Sequence, residues 1–202
     1  MKKLIPCALC LALCAGCTET RVIDLNDQKE VSTMQNVMEL EYRDWTNTAE
    51  KMTDSMIASG ALSTTTKPVI AVSNIINDTQ QRFDTDILTK KIRTTLLKSG
   101  KAQIATNYSG EDTTANAVRN QRNNDEYNAS TISGKGNLIA PNMSLSGKMI
   151  QRNMKLQSGW FSANDTRVEY YLQLTLTDLK TGLSVWEDEQ PIIKEGDHAP
   201  TW

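Results

Sequence analysis

The chain has few of the side chains that enzymes use for covalent or metal chemistry. It contains one histidine, His198, in a polar segment near the C-terminus, and its four cysteines all lie within residues 1–17. Residues 18–202 therefore offer no thiol nucleophile, no cysteine metal ligand and no disulfide. Catalysis, if present, would have to rely on carboxylates, hydroxyls or amines alone.

Residues 1–16 have the pattern of a cleavable export signal. Lys2 and Lys3 precede the short apolar stretch Leu4–Leu13, which is too short to span a bilayer, and Ala15 and Gly16 supply small residues before Cys17. This ending resembles the lipobox of bacterial lipoproteins, although Cys14 stands where leucine is usual. The alternative is an ordinary secretory signal with incidental cysteines.

The lipobox resemblance implies a lipid anchor on Cys17. Cleavage before Cys17 would leave it as the new N-terminus, carrying diacylglycerol and an N-linked acyl chain, which together exceed the two signals needed for durable anchoring. Thr18, rather than aspartate, follows the cysteine. In Gram-negative lipoproteins this implies transport to the outer membrane, with the protein on the periplasmic face.

Charge limits the classes of partner. The formal net charge of −2 becomes −4 once Lys2 and Lys3 leave with the signal, and no basic run remains. We therefore expect no nucleic-acid partner, and no electrostatic binding to anionic lipid headgroups in addition to the lipid anchor.

Composition divides the mature chain into three parts. Residues 17–40 are polar with scattered apolar positions and predict a tether, which as a flexible coil would span on the order of 27 Å. Residues 41–193 carry periodic apolar patterns and predict one globular domain. Residues 194–202 predict a loose tail.

The first half of the domain has the pattern of a strand-helix-strand unit that follows an initial helix. Trp45, Ala49, Met52 and Met56 recur at helical spacing, with Asp44 as the predicted N-cap and Gly60 as the stop. The β-branched run 68–75 predicts a buried strand, and residues 102–106 predict a second. Between them lies a second predicted helix, which ends at Ser99-Gly100 and has an apolar stripe of Ile87, Leu88, Ile92, Leu96 and Leu97.

The second half predicts antiparallel strands. Residues 143–149 alternate in polarity, and so does the segment whose apolar positions are Val168, Tyr170, Leu172, Leu174 and Leu176. A turn with Gly182 in a left-handed conformation joins this strand to a return strand over 183–191. The predicted fold is therefore α/β: a small sheet of about four strands with helices packed on it, beginning with strand-helix-strand and ending with a β-hairpin.

No pattern predicts catalysis, a metal site or a cofactor. Glu187-Asp188-Glu189 resembles a cluster for a hard cation, but consecutive strand residues point to opposite faces. Asp78, Asp84 and Asp86 suit helix capping better than paired-carboxylate chemistry. Gly134-Lys135-Gly136 lacks the spacing of a phosphate-binding loop and predicts a flexible loop instead.

Trp160 and Phe161 are the candidate contact residues. They lie in a predicted exposed connection between Ser158-Gly159 and residues 162–165. Exposed aromatic pairs often mark a contact with a partner or membrane. The alternative is that both side chains fold back over the core of the domain.

The order of these elements resembles the penicillin-binding protein activator LpoB family. The resemblance is carried by Asp44-Trp45, the run 68–74, the helix over 88–100 and the turn 179–182 followed by Val185-Trp186. It implies a monomeric, non-enzymatic outer-membrane lipoprotein that binds a bifunctional penicillin-binding protein and stimulates peptidoglycan synthesis. The tether here is shorter than in better-known members and contains no proline, which implies a shorter reach.

Two alternatives to this function remain open. The strand-helix-strand start also resembles the curli-secretion CsgG family, which implies an envelope secretion or assembly role. The second alternative is a structural envelope lipoprotein, which would share the fold but not the partner.

Overall fold

The computed structural model describes residues 38–106, 112–155 and 166–196, together with residues 27 and 29. The chain divides into two units, Met1–Gln35 and Asn36–Trp202. The architecture given below is that of the second unit.

Helices and strands follow one another in an α/β order. The helices are α1 (Tyr42–Ala58), α2 (Asp86–Ser99) and α3 (Thr113–Asn120), and short 3₁₀ turns cover Gln121–Asn123 and Ala129–Thr131. The strands are β1 (Val69–Val72), β2 (Ile76–Asp78), β3 (Gln103–Ile104), β4 (Met143–Lys155), β5 (Thr166–Asp178) and β6 (Ser184–Gly196). None of the helices among the described residues has the length and hydropathy needed to cross a membrane.

Helix α1 buries the predicted stripe but begins earlier than predicted. Its Trp45, Ala49, Met52 and Met56 side chains are all buried in the core. The N-cap is Glu41, not Asp44, because Asp44 occupies the third helical position of a capping box, where its Oδ2 accepts a hydrogen bond from Glu41 N at 2.8 Å. The helix ends at Ala58.

Helix α2 has a narrower buried stripe than predicted. Its Leu88, Ile92 and Leu96 side chains are fully buried, whereas Ile87 and Leu97 are 47% and 54% exposed. Residues four apart lie in one line along a helix, so these three positions are enough to cover the contact with the core. The helix ends at Ser99, and its C-cap Gly100 has a left-handed φ of +68°, as the predicted stop at Ser99-Gly100 requires.

The sheet has six strands rather than about four. Its order is β3-β1-β4-β5-β6, and β2 also pairs with β4. The run 68–75, predicted as one strand, forms only the short β1, because residues 73–75 do not continue the strand. Strand β2 begins after the predicted run, and both β1 and β2 run parallel to β4. The predicted strand-helix-strand unit is confirmed, since β1 and β3 are adjacent and parallel with α2 between them in sequence.

The three long strands form an antiparallel meander. Each has 13 residues, and β5 pairs with β4 on one side and β6 on the other. Gly182 adopts φ of +73° in the β5–β6 turn, as predicted. Strand β6 continues to Gly196, so residues 194–196 pair with β5 instead of belonging to the predicted tail. The alternating half-buried positions Ile192 and Lys194 continue past Pro191.

Only one face of the sheet is covered by helices in the described part of the chain. Helix α1 packs against β6 and against α2, and α2 contacts β3. The covered face, called the core face, carries the buried side chains of β5, namely Val168, Tyr170, Leu172, Leu174 and Leu176. The opposite face, called the open face, carries the intervening polar residues.

Candidate functional surfaces

The residues singled out from the sequence as candidate sites lie outside the described residues. Cys17, the predicted lipid attachment site, and Trp160 and Phe161, the predicted contact pair, are all in this category. His198, the lone histidine of the sequence, also lies outside the described residues. Their roles therefore stay predictions.

The acidic triplet on β6 is divided between the two faces, as the strand pattern predicts. Glu187 and Glu189 lie exposed on the open face, opposite Thr175 and Gln173 of β5. Asp188 points to the core face, where its Oδ2 accepts a short hydrogen bond from the Ser55 hydroxyl of α1. Within residues 38–106, 112–155 and 166–196, no cluster of histidine, cysteine and acidic side chains is suited to hold a metal ion.

The acidic residues near α2 have structural partners. Asp84 Oδ1 accepts a hydrogen bond from Asp86 N at 2.9 Å, which satisfies a free backbone donor at the start of the helix. Asp78 Oδ2 lies 2.5 Å from Lys148 Nζ on the neighbouring strand. These contacts agree with the capping interpretation for Asp84, and they give Asp78 a cross-strand ion pair instead of a cap.

A charged network surrounds Glu169 on the open face. The Glu169 carboxylate is only 8% exposed, and the guanidinium groups of Arg152 and Arg167 lie 4.0 and 3.9 Å from it. The Tyr171 hydroxyl donates a hydrogen bond of 2.5 Å to the same carboxylate, which raises the pKa of Tyr171 because the bond favours the neutral phenol. Arg167 also pairs with Glu195 on β6.

The chain enters the domain through residues 38–41, called the entry segment, which is held where β5 begins and β6 ends. The buried Tyr170 hydroxyl donates to Met38 O at 3.1 Å. Lys194 Nζ donates to Glu39 O at 2.5 Å and lies 2.6 Å from Asp44 Oδ2. Leu40 is itself buried, so residues 38–40 belong to the folded domain although we predicted them as the end of the tether.

Burial of Tyr170 raises the pKa of its hydroxyl well above the ordinary value, and the nearby carboxylates of Glu39 and Asp44 add to this effect. The phenol thus stays neutral and remains a donor to the entry segment. Sequence reasoning missed Tyr170 and Lys194 as anchoring residues. The signal that could have revealed Lys194 is the strand alternation that persists beyond Pro191.

The other end of the sheet carries the β5–β6 turn. Asp178 closes this turn: its carboxylate accepts hydrogen bonds from Thr181 N at 2.9 Å and Lys180 N at 2.8 Å, which lower the pKa of Asp178 because they stabilise the charged form. Leu179 N donates to Asn142 O at 2.9 Å, which joins the turn to the segment before β4. The side chains of Leu179 and Leu183 are exposed.

A polar cleft of about 310 Å³ lies beside β2 and β4. Asp78, Thr79, Gln80, Gln151 and Asn153 line it. Its amide groups largely bond one another: Asn153 Nδ2 donates to Gln80 Oε1 at 2.8 Å, and Gln151 Nε2 donates to Asn153 Oδ1 at 2.7 Å. The cleft offers hydrogen-bonding groups but no apolar wall.

These features define a class of protein: a small α/β domain with helices on one face of a meandering sheet and charged or aliphatic groups on its free surfaces. The model of one family, the peptidoglycan-synthase activator LpoB, matches residues 44–192. The chain belongs to this family, as its sequence resemblance predicts. The match runs from the first turn of α1 into β6, as far as residue 192.

Solved structures of LpoB are among those similar to the chain. The C-terminal domain of LpoB from Escherichia coli is 16% identical, with 74% of this chain and 98% of that one covered, at a TM-score of 0.43. The corresponding domain from Salmonella enterica has the same identity and coverage at a TM-score of 0.44. The NMR structure of E. coli LpoB is 12% identical over 97% of this chain and 94% of that one, at a TM-score of 0.40. A search of curated proteins gives no match.

Proposed function

We propose that the protein is an outer-membrane lipoprotein, anchored through Cys17, that binds a bifunctional penicillin-binding protein and stimulates its synthesis of peptidoglycan. The observation that carries this proposal is the family match over residues 44–192, which covers nearly all of the folded domain. The export signal and the small residues before Cys17 support the anchor.

Activation in this proposal works through binding alone. A bound protein shifts its partner toward an active conformation only when it has higher affinity for that conformation than for the inactive one. A rigid contact surface on the activator favours such a shift, because it lowers the entropic cost of binding. The long antiparallel strands and the core that they share with α1 and α2 supply this rigidity.

The entry segment suits a tethered mode of action. Hydrogen bonds from Tyr170 and Lys194 hold residues 38 and 39 against the domain. Pull exerted through an anchored N-terminus would therefore reach the sheet at a defined end. The tether sets how far the domain travels, and the entry segment sets where the tether is attached.

The anchor is tested by metabolic labelling. Cells expressing the full chain are fed radioactive palmitate, and the protein is recovered from separated membranes. We expect label on the wild type in the outer-membrane fraction, and neither label nor membrane attachment on Cys17→Ser. An unlabelled wild-type protein that starts at another residue would refute the anchor.

Activation is tested with purified components. Glycan polymerisation from the lipid-linked disaccharide precursor is followed for each bifunctional penicillin-binding protein of the same cells, with and without the wild-type lipoprotein in detergent. We expect a faster rate with one synthase, and an equal stimulation by Cys17→Ser, because the anchor matters only for location. Rates unchanged for every synthase would reject the proposal.

A further inference from the structure

One end of the sheet, called here the turn end, brings together segments that are far apart in sequence. It comprises residues 61–68, 100–102, 138–142 and 178–184, which lead into β1, β3 and β4 or form the β5–β6 turn. Gln103 N donates to Pro68 O at 2.8 Å, Asn142 N donates to Val69 O at 2.9 Å, and Leu179 N donates to Asn142 O at 2.9 Å. These bonds form a continuous row across the sheet.

The turn end is rich in exposed aliphatic side chains. Eleven large hydrophobic side chains are exposed among the described residues, and five of them lie at the turn end or in the first residues of β6. These five are Leu138, Ile139, Leu179, Leu183 and Val185, with exposures from 41% to 69%. Single exposed aliphatic residues are normal on protein surfaces, but several at one end of a domain mark a contact surface.

The charge of the turn end is opposite to that of the whole chain. Lys67, Lys101 and Lys180 are all exposed in these segments, and their one acidic residue is Asp178, whose carboxylate accepts the backbone N–H groups of the turn. The chain as a whole has a formal charge of −2. A positive surface with aliphatic groups complements a partner surface that is acidic and partly apolar.

The turn end also lies away from the point where the tether is attached. The entry segment contacts Tyr170, and Asp178 follows eight positions later on β5, a distance of about 27 Å along an extended strand. A domain held by its entry segment thus presents the turn end away from the attachment.

From this combination we infer that the turn end is the surface that docks on the penicillin-binding protein, against an acidic and partly apolar patch of that partner. This inference rests on the proposed function. A protein partner fits better than a lipid surface, because three separate lysines fall short of the clusters of about 4–8 basic residues that recognise anionic lipid.

Two full-length variants test the docking surface, each with a matched control. Lys67→Glu/Lys101→Glu/Lys180→Glu reverses the charge of the turn end, and Lys51→Glu/Lys90→Glu/Lys155→Glu reverses three exposed lysines elsewhere. Leu179→Ser/Leu183→Ser removes two of the aliphatic groups, and Ile87→Ser/Ile193→Ser removes two similarly exposed ones elsewhere. Circular dichroism and the melting temperature establish that each variant is folded.

The measurement is capture of penicillin-binding proteins. Each immobilised lipoprotein is exposed to detergent-solubilised membranes of the same cells, and the captured synthases are identified with a fluorescent penicillin. We expect both turn-end variants to lower capture by at least about tenfold while both controls match the wild type. Raising the salt concentration should weaken capture by the wild type more than the residual capture by Lys67→Glu/Lys101→Glu/Lys180→Glu, which lacks the positive charges of the turn end.

The possible failures are distinguishable. If the wild type captures a synthase and the folded turn-end variants capture it equally, the docking surface lies elsewhere and the proposed function stands. If the wild type captures none, the proposed function and this inference fall together. Binding to vesicles of phosphatidylglycerol and phosphatidylethanolamine is measured for the same variants. If the turn-end variants lose binding to these vesicles but still capture the synthase, the surface is a lipid contact and the inference is wrong.

Discussion

The two faces of the sheet use the same strands for different purposes. On β5, the side chains of Val168, Leu172 and Leu174 face the helices and are at most 2% exposed. Their neighbours Arg167 and Gln173 face the open side, where they bond glutamates of β6. A strand alternates its side chains between two faces, so one segment holds the core together and presents polar groups at the same time.

The difference between the faces should appear in the cost of substitution. A group on the core face is enclosed, so a change there leaves either an overlap or an unpaired polar atom. A group on the open face exchanges its partner for water or for another charge at little cost. The predictions below test this difference, beginning with the largest expected effect.

Gly147→Ala should cost the most. Gly147 lies on the core face of β4, opposite Leu174, and a Cβ at this position would lie 2.8 Å from Gln173 O and closer still to Leu174 Cδ2. Because backbone of the paired strand cannot yield easily, we expect about 2–3 kcal/mol of destabilisation. For a domain of this size the melting temperature should fall by about 5–10 °C, as measured by circular dichroism.

Gly134→Ala is the matched control for this substitution. In the loop before β4, the nearest atom to an added Cβ is Asn137 Nδ2 at 3.7 Å, an ordinary contact, and no left-handed backbone angle is involved. The melting temperature of this variant should stay close to that of the wild type. Equal effects of the two substitutions would show that Gly147 is not enclosed as the structure has it.

Lys194→Met should have the next largest effect. Lys194 lies on the core-face side of β6, where its ammonium group bonds Glu39 O and pairs with Asp44. Methionine keeps the aliphatic stem and removes the charge, while Asp44 keeps its bond from Glu41 N. We expect a loss of about 1–2 kcal/mol, measured by urea unfolding.

Proteolysis provides a second readout for Lys194→Met. The loss of its bonds should free the entry segment, so cleavage near residue 38 should become faster than in the wild type. Lys155→Met serves as the control, since Lys155 is exposed at the end of β4. Unchanged cleavage and stability in Lys194→Met would mean that this lysine does not hold the entry segment.

The alternating strands were the most predictable part of the fold. The apolar positions of β5 recur every second residue over nine positions, a pattern typical of a half-buried strand. The end of β6 was less predictable, because Pro191 interrupts the pattern where an edge strand tolerates proline. The break between β1 and β2 was not visible, since residues 73–75 interrupt pairing without a glycine or proline.

The surfaces were harder to predict than the fold. The bonds of Lys194 with Glu39 and Asp44 join residues separated by about 150 positions in sequence, and no local pattern reports them. The row across the turn end likewise joins Pro68, Asn142 and Leu179 through backbone groups, which have no residue signature. Family resemblance is the basis for the partner that we propose, whereas the geometry is the basis for the proposed docking surface.

Adjacent tyrosines on β5 allow a direct comparison of the two faces. Tyr170 is buried on the core face and donates to Met38 O, whereas Tyr171 on the open face donates to Glu169. Tyr170→Phe should cost about 1 kcal/mol, because it leaves the carbonyl of Met38 without its donor. Tyr171→Phe should cost clearly less than Tyr170→Phe, because both arginines still pair with Glu169. Chemical unfolding measures both, and a larger cost for Tyr171→Phe than for Tyr170→Phe would contradict the expected difference between the faces.

The smallest effect is one of titration. The bond to Glu169 raises the pKa of Tyr171, whereas a bond donated by Lys91 Nζ lowers the pKa of Tyr42. In alkaline titrations followed by tyrosinate absorbance, Tyr171→Phe should remove a late transition and Tyr42→Phe an early one. Glu169→Gln should return the Tyr171 transition toward the ordinary value of about 10.

Since the pKa of Tyr171 is raised in the folded state, its contribution to stability is present below about pH 10 and is lost as the pH rises through the folded-state value. A Tyr171 transition that does not move in Glu169→Gln would show that the phenol bonds another group, and that the network on the open face is organised differently.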